Sequence, residues 1–165
     1  MTEKFSAYGF QVEIPEDWRI EFNAKNSRQR GDVAFHSPKN NVFFVSWGKL
    51  EDAQRRFRNL EEHRDETIKR FRSDPNMKSV EIVRSAMENL STHEGLVSRV
   101  VARRRPGFMR RLESSHEVWS VHLYCPPTAR YYVVYWHVSF GDEFPDFEDR
   151  FMSIARTLAC HPQPL

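Results

Sequence analysis

The chain has 165 residues, a length that fits one domain of ordinary size and leaves little room for two. Hydrophobic residues make up 39% of the sequence and aromatic residues 13%, so global disorder is excluded. The net charge of +2 is too small for a domain that is basic over its whole surface, so any basic site must be local.

The two cysteines, Cys125 and Cys160, are too few for a small secreted scaffold. The sequence starts without an apolar leader and contains no apolar run of membrane-helix length. We therefore expect a cytoplasmic protein with two free thiols and no membrane partner. A single domain over 1–165 is expected, with flexible ends at 1–4 and 161–165.

The first elements along the chain alternate between apolar and polar residues, over 8–14 and again over 18–22. Pro15 begins a three-residue turn between them. If the two segments form a hairpin, Ile14 pairs with Trp18 and all the apolar side chains share one face.

Two more strands are predicted at 33–37 and 42–47, and the second is apolar on both faces. Such a strand is typical of the centre of a sheet that is covered on both sides. From 51 to 73 the apolar spacing becomes helical and most other positions are charged. This spacing predicts one long amphipathic helix that ends at Asp74-Pro75.

The second half predicts four long strands and a final helix, at 80–90, 96–105, 117–125, 131–140 and 145–159. Short connections make consecutive strands antiparallel, and the helices must lie on the faces of the sheet. The expected fold is α+β, a single antiparallel sheet with two amphipathic helices packed on its faces in the order ββββαββββα.

A hairpin tip near Pro127 places Trp119 opposite Trp136 on one face of the last two strands. The other face carries what we call the Tyr/His face: His122, Tyr124, Tyr131, Tyr135 and His137. Tyrosine and histidine are common at wet interfaces, which suggests a ligand-binding or docking face. The alternative, which we favour, is that a helix or loop covers it.

A basic turn between two strands forms what we call the arginine hairpin (103–111). Its candidate partner-binding residues are Arg103, Arg104, Arg105, Phe108, Arg110 and Arg111. Arginine with an interleaved aromatic ring can bind an acidic protein patch or the phosphates and bases of nucleic acid. Alternatively, the charges only discourage edge-to-edge pairing of strands.

Motifs for catalysis, phosphate binding or metal binding are missing from the sequence. The histidines are scattered singly, and His122 and His137 are predicted about 13 Å apart along the ladder, too far to share a zinc ion. We therefore expect no catalytic residues, no metal site, no cofactor and no enzymatic activity.

The arrangement resembles the PsbP-like fold, which includes PsbP, the Ran-binding Mog proteins, DcrB and chaperones of type VI secretion effectors. The likeness comes from an aromatic strand followed by Pro15-Glu16-Asp17-Trp18, the long charged helix, the turn before Gly95 and the final amphipathic helix. The resemblance implies a protein that binds another macromolecule without catalysis, and it assigns no functional residue.

The favoured hypothesis is a non-enzymatic protein-interaction module, an adaptor or chaperone-like protein with a protein partner. One alternative is a binder of nucleic acid or another polyanion through the arginine hairpin, and another is a small-ligand binder at the Tyr/His face. A homodimer is compatible with the sequence as well.

Overall fold

The computed structural model describes residues 1–39, 41–107, 114–139 and 146–161. The strands are β1 (Thr2–Ala7), β2 (Phe10–Pro15), β3 (Arg19–Phe22), β4 (Gly31–His36), β5 (Val42–Lys49), β6 (Met77–Asn89), β7 (Glu94–Arg104), β8 (Ser114–Cys125) and β9 (Arg130–Ser139). The helices are α1 (Leu50–Arg56), α2 (Leu60–Arg72) and α3 (Phe147–Ala155), and a 3-10 turn spans Pro126–Thr128.

Seven strands form one antiparallel sheet in the order β3-β4-β5-β9-β8-β7-β6, and β1 pairs with β2 in a separate hairpin. The predicted α+β class with antiparallel strands is confirmed. The doubly apolar strand lies near the centre as β5, between β4 and β9. The predicted register of β8 and β9 is also confirmed, since Trp119 lies opposite Trp136 and Tyr124 opposite Tyr131.

The predicted hairpin between 8–14 and 18–22 is wrong. Strand β2 pairs with β1, while β3 pairs with β4. Tyr8 and Gly9 have positive φ angles of 52° and 79°, and two such residues make the tight turn that matches the twist of a hairpin. Thr2, Glu3 and Lys4, which we expected to be part of a flexible end, therefore belong to β1.

The single helix predicted for 51–73 is divided into α1 and α2, so the fold has three helices where two were expected. Phe57 ends α1 in an extended conformation, with φ −128° and ψ 136°. The Asn59 side chain then accepts a hydrogen bond from the backbone N–H of Glu62 at 2.9 Å. Asparagine is a favoured N-cap, so this local signal starts a new helix where the apolar period alone continues the old one.

Both faces of the sheet are covered. On one face, α3 and the β1–β2 hairpin enclose a core whose largest aromatic members include Phe10, Phe35, Phe43, Trp119, Trp136 and Phe151. On the other face, α2 packs Ile68 and Phe71 against Val100 and Val118. The residues after α3 continue to Ala159, which exchanges two backbone hydrogen bonds of 2.8 Å with Gln11.

Replacing Phe151 with alanine should lower the free energy of unfolding by about 3–5 kcal/mol, because this ring is fully buried against Phe43 and Trp119. Urea denaturation measures the loss. Phe22→Ala is the matched control, since Phe22 is 52% exposed and its truncation should cost about 1 kcal/mol or less. Equal losses in the two variants would contradict the assignment of α3 to the core.

Candidate functional site

The described part of the arginine hairpin contains Arg103, Arg104 and Arg105 at the end of β7. Arg104 forms an ion pair with Asp74 at 3.3 Å, and the backbone N–H of Arg105 donates to the carbonyl of Asn76 at 2.8 Å. The side chains of Arg103 and Arg105 are exposed and have no acidic partner among the described residues. One of the three arginines is therefore structural, and two are free to meet an anion.

The remaining candidates of the hairpin, Phe108, Arg110 and Arg111, lie outside the described residues. The end of β7 lies beside the start of β6, with Arg104 opposite Met77. Strand β6 is one edge of the sheet in the described part of the chain, because its one strand neighbour there is β7, and β3 is the other edge.

Helix α2 covers the half of the Tyr/His face that holds His122, Tyr124 and Tyr131. His63 on α2 lies with its ring centroid 5.1 Å from that of His122 and 5.0 Å from that of Tyr131. The Tyr124 hydroxyl lies 3.4 Å from His63 Nδ1. His122 is fully buried, so this half of the face is a helix–sheet interface with little open surface for a ligand.

The other half of the face, Tyr135 and His137, lies apart from the first. Arg70 on α2 donates a hydrogen bond to the Tyr135 hydroxyl, and the Phe71 ring packs against that of His137. His137 Nε2 lies 3.2 Å from His116 Nδ1. The five residues of the face are thus divided between two environments and do not form one site.

Burial makes His63 on α2 and His122 on β8 poor proton acceptors. Desolvation, with a smaller contribution from Arg56, lowers the pKa of His63 to about 4, from an ordinary value of 6.5. Desolvation also holds the pKa of His122 well below its ordinary value, with added repulsion from His63 and Arg64. Both rings are therefore neutral near pH 7.

Tyr131 also reaches a cleft of about 430 Å³ beside α1, lined by Arg30, Trp47, Lys49, Asp52, Arg55, Arg56 and Tyr131. Three of its arginines are already paired: Arg30 with Asp52, Arg55 with Glu51, and Arg56 with Glu66. These ion pairs are solvent-exposed, and together they neutralise much of the positive charge that would attract an anionic ligand.

A third group of residues was not anticipated from the sequence. We call His93, Cys125, Cys160 and His161 the His/Cys cluster, since one ligand atom from each lies within 4.8 Å of every other. Cys125 and Cys160 are fully buried free thiols, and the two histidines are half-buried. Burial and the neighbouring Cys125 raise the pKa of the Cys160 thiol to about 12.

Separate elements position the cluster. Cys125 ends β8, while Cys160 and His161 follow the backbone bridge between Ala159 and Gln11. His93 lies in the turn between β6 and β7, which is closed by a 2.9 Å hydrogen bond from the Leu90 N–H to the His93 carbonyl. These residues come from three distant parts of the chain, with Cys160 and His161 adjacent, and they match no local metal-binding spacing, so the sequence carries no short-range signal for the cluster.

Comparisons with known proteins agree with this architecture. The sequence matches no family model and no curated protein. The backbone is similar to the solution structure of cyanobacterial PsbP (CyanoP) from Synechocystis sp. PCC 6803, with a TM-score of 0.50 over 96% of this chain and 91% of that chain. The chain has a PsbP-like fold. At 11% sequence identity the likeness shows the fold alone, so no residue of this chain takes a role from it.

None of the described helices has the length and apolar character needed to span a membrane.

The stability of the domain should fall as the pH drops from about 6.5 to 4, because His63 and His122 bind protons more readily in the unfolded chain than in the folded one. Above pH 6.5 the two histidines cost no stability, because both rings are neutral in the folded and in the unfolded chain. Thermal unfolding at several pH values measures the effect. The stability of the His63→Gln variant should depend less on pH than that of the wild type. The control variant His36→Gln should lose stability on acidification as steeply as the wild type does. A wild-type protein whose stability is unchanged between these pH values would contradict the buried neutral pair.

Proposed function

We propose that this chain is a non-enzymatic protein-interaction module, adaptor-like or chaperone-like, that pairs an acidic extended segment of a partner protein with β6. The observation that carries the proposal is the open edge of β6, whose one strand neighbour among the described residues is β7. An edge strand presents a row of backbone N–H and C=O groups with which another extended chain can pair.

The length and side chains of β6 favour this mode of binding. The strand has 13 residues, more than most strands in globular proteins. Val83 is 44% exposed and Met87 48% exposed, and both are among the few large apolar side chains that reach solvent. Val83 lies at a register shift between Ile82 and Arg84, so it has no direct counterpart on β7. Exposed apolar side chains beside an open edge offer contacts to the side chains of an added strand.

Charge supports an acidic partner. Arg103 and Arg105 lie where β7 ends beside the start of β6, and neither forms an ion pair within the part of the chain that the structure describes. Carboxylates on the partner would pair with both guanidinium groups and would fix the register of the added strand.

Two further features support a binding role in the cytoplasm over a catalytic one. His63 and His122 pack between α2 and the sheet, where a substrate does not reach them. Cys125 and Cys160 are free thiols, which suits a reducing compartment.

Removing the two free cations should weaken the complex with a partner recovered from the native cell and then purified. We expect Arg103→Ser with Arg105→Ser to reduce affinity about tenfold at moderate salt, because two exposed charge pairs of up to about 1 kcal/mol each are lost. Calorimetric titration measures the change. Hydrogen exchange of the wild-type complex should show new protection along β6, where the partner strand adds its hydrogen bonds.

The matched control is Arg55→Ser with Arg58→Ser, which removes the same charge from exposed positions near α1 and should leave affinity unchanged. Protection confined to another element, or equal losses in both double variants, would overturn the proposal. Tight binding of wild-type protein to heparin or single-stranded DNA, with a steep salt dependence, would favour the polyanion alternative instead. Self-association that protects β6 would identify a second copy of this chain as the occupant.

A further inference from the structure

We propose that His93, Cys125, Cys160 and His161 bind one zinc ion in a closed, tetrahedral site. Each residue offers a ligand atom of the type that zinc prefers, thiolate sulfur or imidazole nitrogen. The four atoms lie within 4.8 Å of one another although they come from three distant parts of the chain.

The spacing of the ligand atoms is close to what zinc requires. Zn–N and Zn–S bonds of about 2.0 and 2.3 Å place the ligands of a tetrahedral site about 3.3–3.8 Å apart. The Nε2 atoms of His93 and His161 are already 3.0 Å apart. The other ligand atoms must move about 1 Å closer together to reach these distances, and small changes in side-chain torsion angles are sufficient for that.

The set of donors selects zinc over the hard cations. Magnesium and calcium prefer oxygen ligands, whereas two sulfurs and two imidazole nitrogens in a tetrahedron suit zinc. On binding, each thiol releases its proton to solvent, so two thiolates and two neutral imidazoles give a complex with no net charge. A neutral complex can be buried without the large penalty of an isolated ion.

The surroundings of the cluster suit a bound metal. The Thr92 hydroxyl lies 3.2 Å from Cys160 Sγ, where it can donate to a thiolate. The buried Tyr132 hydroxyl interacts electrostatically with both thiols. The half-buried histidines give the ion a path from solvent to the buried sulfurs.

The ion would act as a structural clamp. Four protein ligands leave no open position for a substrate, as is typical of structural zinc sites. The clamp ties the β6–β7 turn and the end of β8 to the segment after α3. It therefore stabilises the docking of α3 and is independent of partner binding at β6.

Zinc content and stability test the site in the untagged full-length chain, purified under reducing conditions. We expect one zinc ion per chain by elemental analysis. Cobalt added to the metal-free protein should give the visible bands of a tetrahedral ion and a thiolate-to-cobalt charge-transfer band. Zinc should raise the thermal midpoint, because it binds the folded chain more tightly than the unfolded one.

The variant His161→Gln removes a half-buried ligand near the end of the described chain, where misfolding is least expected. It should weaken zinc binding more than about 100-fold, which exceeds the effect of losing a residue that only hydrogen-bonds to a ligand. It should also abolish the zinc-dependent rise in the thermal midpoint. The control His36→Gln lies outside the cluster and should keep both. Equal zinc content in the two variants would overturn the proposal. So would wild-type protein that stays metal-free with stoichiometric zinc, or that has no free thiol on unfolding without reductant, which would show a Cys125–Cys160 disulfide instead.

Discussion

The aromatic packing around Trp136 is the contact on which the rest of the structure depends. This fully buried ring, on β9, lies 4.3 Å from Phe147 of α3, 5.5 Å from Trp18 and 5.8 Å from Phe43 of β5, measured between ring centroids. These neighbours come from both ends of the chain, so burying one side chain joins the early strands, the last strand and α3 in one core. The position of α3 in turn determines where Cys160 and His161 lie.

The register of paired strands can be predicted from the sequence wherever one strand face is buried, because a register shift of one residue would expose every apolar side chain. This constraint explains why the Trp119–Trp136 register was correct. It was not sufficient for the first hairpin, since Thr2 to Lys4 are polar and do not alternate, and the turn depends on the backbone of Tyr8 and Gly9. The break between α1 and α2 is encoded locally by Asn59, whose side chain caps α2, whereas the apolar period runs through both helices.

The candidate sites were predictable only where their residues are close in sequence. Arg103 and Arg105 stand out because charge is concentrated in a short turn. The His/Cys cluster joins distant turns and strand ends, and the edge position of β6 follows from the pairing of β5 with β9, so neither can be read locally. The basic end of β7 and the turn that holds His93 lie at opposite ends of the β6–β7 hairpin. The rise per residue of an extended strand places them about 35 Å apart.

The order of strands has a consequence for how the chain reaches its native state. Strands β3 to β5 form one meander and β6 to β9 another, and each can assemble from neighbouring segments. Within the described seven-stranded sheet, the two meet where β5 pairs with β9, across about 80 residues of intervening chain. Closing this seam therefore costs more chain entropy than any other strand pairing in that sheet. We therefore expect assembly of this seam to govern the folding rate. Damage to the β5–β9 seam should slow folding, whereas damage at the outer edge of β6 should mainly speed unfolding.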